Sequence, residues 1–296
     1  MVVFGIMLGL GASVAQSLSY LFSRRFIKEC GDDWRLLLAV SHVLMGVMSL
    51  AIFPFLYTRG DVPAIKAAVI PSIGAAGFYF VAQAVLFAAL KRVEASRISP
   101  LLGLKVISLA LLATALGKQH LEWNNWIAVV MSGSAAFLLN EIGGRIPSKA
   151  LCFVTFTVVG YSFSDMNIRD LLVALQPAGI RGPFIGVCMA YILCGVIGAL
   201  MLFRTGVPGR HVWILALPYA VAWFCSMFLF YWSIVAINLV FAAVVQATRG
   251  IISIWMGVLV ARWGMVHLEQ TLSKGVLWKR VAAAVLMAAA IILYAL

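Results

Sequence analysis

Apolar residues run along this chain in ten blocks, each closed by a short polar stretch or by glycine and proline. The blocks fall at 3–23, 36–57, 69–90, 98–116, 124–140, 149–168, 182–203, 211–235, 239–261 and 280–296. Each is near the roughly 20 residues that a helix needs to cross about 30 Å of hydrocarbon. The connections are short, and none reads as a soluble domain; the longest are 24–35 and 263–279. Residues 166–183, MNIRDLLVALQPAGIRGP, fit a longer sixth span followed by an amphipathic turn that Pro177 and Gly179 end. The pattern predicts an all-α polytopic membrane protein with ten transmembrane helices.

The blocks repeat. His120-Leu121-Glu122 follows the fourth span and His267-Leu268-Glu269 follows the ninth, an offset of 147 residues. The same offset carries Lys105 in span four to within one helical turn of Arg249 in span nine. Spans one and six align at an offset of 145, which matches Gln16, Tyr20 and Arg24 with Tyr161, Asp165 and Arg169. Two related halves of five spans enter the membrane in opposite senses, so an inverted repeat is expected, residues 1–143 against 144–296, with a site at their interface.

Composition agrees with the pattern: 64% of the 296 residues are hydrophobic and 11% charged, too apolar for a soluble fold. The formal charge of +12 would suggest nucleic acid in a soluble chain. Here the basic residues lie in short loops, where they set topology and meet anionic lipid headgroups, and no nucleic-acid partner is expected. The five cysteines, at 30, 152, 188, 194 and 225, are scattered without paired spacing and imply neither a disulfide framework nor a metal site. The first 22 residues lack a basic leader and run too long for a cleaved signal, so they read as the first span.

Span nine, NLVFAAVVQATRGIISIWMGVLVAR, carries the sharpest chemistry. Arg249 stands 11 residues past Asn238, roughly 16 Å of helix at about 1.5 Å per residue. A guanidinium at that depth cannot become neutral and must face a partner, a water-filled cavity or a ligand. Ala242, Gln246, Arg249, Ser253 and Gly257 share its helical face. Lys105 lies nearer a membrane surface, where its stem can snorkel. Asp165 is the only acidic residue inside an apolar block and shares a face with Thr157, Tyr161 and Ser164. It is a candidate to carry a coupling proton, to sit at the headgroup edge or to neutralise Arg249. Gln16 on span one, and Tyr79 with Gln83 on span three, either line a cavity or join helices by hydrogen bonds. His42 reads as a packed histidine with one satisfied hydrogen bond. The stripe Tyr219, Trp223, Ser226 and Phe230 reads as core or lipid contact.

The fourth span, VEASRISPLLGLKVISLALLATALG, and the ninth resemble the EamA-like branch of the drug/metabolite transporter superfamily. The resemblance implies an alternating-access carrier with a central cavity lined by both halves, and termini in the cytoplasm. Its short Gly-Glu motif after these spans is replaced by Gly117-Lys118-Gln119 and Trp263-Gly264-Met265. Basic residues in these two spans are also known from phosphate-substrate branches of the superfamily.

No catalytic motif, phosphate-binding loop or intramembrane carboxylate pair is present, so neither an enzyme nor a cofactor is expected. Without a nucleotide-binding loop, transport must couple to an ion gradient or to exchange. The leading expectation is secondary transport of a small organic anion, carboxylate or phosphate, across a bacterial inner membrane. Arg249, Lys105, Gln246, Ser253, Tyr161 and Gln83 are expected to line the substrate site, and Asp165 to serve coupling. The alternatives are an exporter of amphipathic or aromatic metabolites and a lipid-headgroup flippase. Small-molecule substrate and membrane lipids are the expected partners, in a monomer or homodimer. For orientation, 15 of the 22 Lys and Arg fall in the odd-numbered loops and 5 in the even ones. The positive-inside rule therefore puts both termini outside the cytoplasm, opposite to the resemblance.

Overall fold

The helices begin and end where local chemistry dictates. In the computed structural model of the protein, the described residues are 1–31, 33–91, 98, 101–140, 148–262 and 274–296. Helix α1 is Val2–Glu29. Asp33 then caps α2 (Trp34–Leu56), its carboxylate accepting from the N–H groups of Arg35 and Leu36 at 3.0 and 3.1 Å. Thr58 and Asp61 form a capping box around the 3-10 turn Arg59–Asp61, and α3 (Val62–Leu90) leaves it with Pro63 in the first turn. A second 3-10 turn, Leu102–Leu104, leads into α4 (Lys105–Ala115). Gly117, at φ 63°, turns the chain out of α4 so that the Lys118 N–H returns to the Ala113 carbonyl at 2.9 Å.

Helices α5 (Trp123–Asn140) and α6 (Ser148–Ala174) follow. The sixth span does extend to Ala174, and a 3-10 segment at Gln176–Arg181 holds Gly179 at φ 58°. The remaining helices are α7 (Gly182–Thr205), α8 (Arg210–Ile237), α9 (Leu239–Gln246), α10 (Arg249–Arg262) and α11 (Lys274–Ala295). Asn238, at φ 69°, separates α8 from α9 and caps the latter through the Phe241 N–H at 2.9 Å. Among the described residues every regular element is helical, and six helical stretches are long and apolar enough to cross a membrane. His267-Leu268-Glu269 and Trp263-Gly264-Met265 lie outside the described residues.

Packing joins the first half of the chain to the second rather than to itself. The most extensive contacts pair α3 with α6, α1 with α8, α2 with α7, and α5 with α11. Small residues permit the closest approach. A Cβ on Gly46 would stand 2.8 Å from the Gly195 Cα, and a Cβ on Gly198 would stand 2.7 Å from the Ala39 carbonyl oxygen. The α2 and α7 backbones therefore touch, as membrane helices do where van der Waals contact replaces the hydrophobic effect. Large apolar side chains such as Phe55, Ile70 and Phe203 are exposed around the outside, the arrangement expected of a bundle that meets lipid.

Polar ties join the connections. Arg181 donates to the Leu56 carbonyl at 2.8 Å and to both carboxylate oxygens of Asp61 at 2.9 and 3.2 Å. The Thr58 hydroxyl, then the Thr58 N–H and Arg181, hold the Asp61 carboxyl below the ordinary carboxylate range. The stabilisation this gives is present above the ordinary carboxylate pKa and is lost as pH falls through the lowered one. Gln119 donates to Asn238 and to the Tyr294 hydroxyl, each at 3.0 Å. That fastens the end of α4 to the α8–α9 junction and to the last helix.

Candidate functional site

The ninth span is not one uniform helix. Between α9 and α10 the hydrogen bonds shorten to three-residue steps. Thr248 N–H meets the Val245 carbonyl at 3.1 Å, and Gly250 N–H meets that of Ala247 at 3.1 Å. Span four carries the same device, since the turn Leu102–Leu104 precedes α4. Arg249 and Lys105 thus each stand as the first residue of a helix that follows a tightened step. The sequence pattern hides this because apolar residues continue through both steps without proline.

The two basic side chains cross to the opposite half. Arg249 donates through Nη1 to Gln16 Oε1 and through Nη2 to the Leu102 carbonyl, each at 3.0 Å. Its Nε has no hydrogen-bond partner among the described residues. Lys105 Nζ lies 2.6 Å from Asp165 Oδ2 and 2.7 Å from Gln246 Oε1, and 5.1 Å from the centre of the Phe230 ring. Lys105 is 4% exposed, so it does not snorkel: its carboxylate partner lies inside the bundle. Asp165 is likewise inside rather than at the headgroup edge, and it pairs directly with Lys105 rather than with Arg249.

Arg249, Lys105, Asp165, Gln246, Gln16 and Tyr161 line one internal cavity. About 460 Å³ of it is free of protein atoms. The space is narrow in this conformation, with room for a water-sized molecule rather than a metabolite. Two cations and one carboxylate line it, leaving one positive charge that meets only neutral acceptors among the described residues.

Aromatic rings line much of the same cavity. Tyr79 stacks on Tyr161 and Trp223 with ring centres 6.1 and 5.8 Å apart, and meets Tyr191 edge-on at 5.6 Å. The Trp223 indole N–H donates to the Tyr191 hydroxyl at 2.6 Å, and the Tyr79 hydroxyl lies 3.1 Å from Nε2 of His42. Phe230, Tyr231 and Met227 also line the cavity.

Four of the six expected lining residues therefore meet at the cavity, together with Asp165. Gln83 does not line it. It is buried beside it, donating to Tyr219 at 2.8 Å and accepting from Tyr161. Ser253 is buried on the expected face of the ninth span but is not among the lining residues. Gln16 and Tyr79 were open between cavity and packing, and both face the cavity. Trp223 and Phe230, expected in core or lipid contact, line it as well. Tyr191 gave no signal: its helix is apolar throughout, and nothing in its spacing separates a cavity tyrosine from a packed one.

Residues 3–141 match the model of the EamA-like transporter family. No curated protein matches the chain. A solved crystal structure superposes with a TM-score of 0.67, covering 98% of this chain and 95% of its own at 14% identity, a likeness of fold alone. On this match, residues 3–141 are similar to the EamA-like transporters of the drug/metabolite transporter superfamily.

Proposed function

We propose that this protein is a secondary transporter of a small organic anion, working by alternating access between two inverted five-helix halves, 1–143 and 144–296. The reciprocal pairing supports the repeat. If α1 corresponds to α6 and α3 to α8, contact of α1 with α8 requires contact of α3 with α6, and both occur. The self-pairing of the second spans, α2 with α7, and of the last, α5 with α11, fits the same two-fold relation. Ten spans, a bacterial inner membrane and a monomer or homodimer complete the reading.

One observation carries the sign of the substrate. Arg249 is 2% exposed, and among the described residues its guanidinium donates only to an amide and a backbone carbonyl and its Nε has no hydrogen-bond partner. A carboxylate or phosphate would supply the missing charge and accept two parallel hydrogen bonds. Lys105 is already neutralised by Asp165, so Arg249 is the primary anchor and Lys105 the secondary one. The aromatic wall favours an anion that also presents a flat apolar face. Asp165 serves coupling. Its protonation releases Lys105, which ties proton movement to the charge on the cavity wall.

The test uses purified protein in proteoliposomes and a thermal-shift screen over anionic, cationic and neutral metabolites. Arg249→Ala is expected to abolish anion binding, and Arg249→Lys to fold but bind about tenfold or more weakly, since a point charge does not replace the planar fork. Normal transport by Arg249→Ala, or a screen that yields only cationic ligands, would refute the anion reading.

A further inference from the structure

His42 is fully buried on α2, behind the cavity wall rather than in it, and its two ring nitrogens have different partners. Nδ1 lies 2.6 Å from the Leu38 carbonyl oxygen. A carbonyl can only accept, so Nδ1 carries the hydrogen. In the neutral ring the lone pair then sits on Nε2, 3.1 Å from the Tyr79 hydroxyl, and Tyr79 must donate to it. A second donor is fixed as well. The Trp223 indole N–H, which can only donate, gives its hydrogen to the Tyr191 hydroxyl, and the Tyr191 ring meets that of Tyr79 edge-on. Hydrogen bonds therefore run one way from Tyr79 to His42 and on to the Leu38 carbonyl, beside the one from Trp223 to Tyr191.

The neutral ring is the form this environment holds. Around it stand Leu38 and Ser41 from α2, Tyr79 and Phe80 from α3, and Gly195 and Gly198 from α7. No charged side chain among the described residues touches it, and an unpaired imidazolium in such surroundings is costly.

We infer that His42 is a positioning residue that makes the Tyr79 hydroxyl, on the aromatic wall of the cavity, a hydrogen-bond acceptor. The wall thereby selects an organic anion that also carries a hydroxyl or N–H donor away from its negative group. The Tyr79 hydroxyl hydrogen is consumed by His42 and the Trp223 N–H by Tyr191, so at the Tyr79 hydroxyl a ligand meets only oxygen lone pairs. Arg249 and Lys105 supply donors in the same cavity. This inference rests on the anion reading above, and its test separates the two.

The probes are 4-hydroxybenzoate and 4-methoxybenzoate, alike in charge and ring but differing in whether the remote oxygen can donate. Wild-type protein is expected to bind the hydroxyl compound about tenfold more tightly, the scale of one hydrogen bond with an unmatched alternative. Tyr79→Phe and His42→Leu are expected to narrow that ratio to about twofold, whereas His42→Gln, whose amide oxygen still accepts, keeps it. The ratio, rather than the affinity, is the readout that a merely structural role would not move. Equal binding of both probes overturns the inference and leaves the anion reading standing. If only cations bind, the anion reading falls and the donor-bearing anion falls with it. Nitrogen-15 spectra of labelled histidine, assigned with His42→Gln, test the wall independently of any ligand. Hydrogen on Nδ1 and a free lone pair on Nε2 support the one-way chain, and the reverse tautomer or an imidazolium overturns it.

Discussion

Lys105 and Asp165 show how a buried pair differs from its members. Each alone is an uncompensated charge in a low-dielectric interior; together, 2.6 Å apart, they are neutral. Removing one partner from such a pair costs about 3–5 kcal/mol, while replacing both by apolar residues of similar size is close to neutral. Lys105→Met is therefore expected to lower the thermal unfolding temperature in detergent sharply, and Lys105→Met with Asp165→Leu to recover most of the loss. Function should divide differently. Asp165→Asn is expected to lose gradient-driven accumulation while retaining exchange and ligand-induced stabilisation. Loss of folded yield without selective uncoupling would show that Asp165 is structural only. The sequence revealed that Lys105, Asp165 and Arg249 were the unusual charges. It did not reveal which two of the three would pair, because that depends on where α4, α6 and α10 cross.

At the scale of elements, the apolar blocks marked the helices well where polar loops bounded them and poorly where the backbone changed step inside them. The tightened turns before Lys105 and Arg249 left no trace in hydropathy, since Leu102-Gly103-Leu104 and Ala247-Thr248 are as compatible with a continuing helix as with a 3-10 step. Close approach was equally hidden, because a helix glycine can face a backbone or open space. Gly46 and Gly77 are one of each. A Cβ on Gly46 meets the Gly195 Cα at 2.8 Å, whereas one on Gly77 meets nothing within 4 Å. Gly46→Ala should destabilise the protein by about 1–3 kcal/mol through overpacking, and Gly77→Ala should be neutral or slightly stabilising. Thermal unfolding of the two variants side by side checks the α2–α7 contact, and equal behaviour would contradict it.

For the whole molecule, likeness to a transporter family was legible from span order and from two basic residues in corresponding spans, and residues 3–141 match that family. Orientation remains a contest between charge and kinship. The excess of Lys and Arg in the odd-numbered loops predicts both termini outside the cytoplasm. A fluorescent reporter that matures only in the cytoplasm, fused after Leu296, should stay dark, and a bright fusion would favour the orientation that the family resemblance implies.

Pairing across the halves also sets an order of events during synthesis. His42 and Tyr79 both belong to the first half, so their hydrogen bond can close as soon as α3 is inserted. Gln16 and Lys105 cannot be satisfied so early, because their partners, Arg249 for one and Asp165 and Gln246 for the other, emerge much later from the ribosome. Until then the membrane holds a half-built bundle with an unneutralised lysine and small-residue faces that have nothing to pack against. Such an intermediate is the natural client of membrane chaperones and proteases. A chain interrupted near residue 143 should meet the same fate unless residues 144–296 are supplied alongside it.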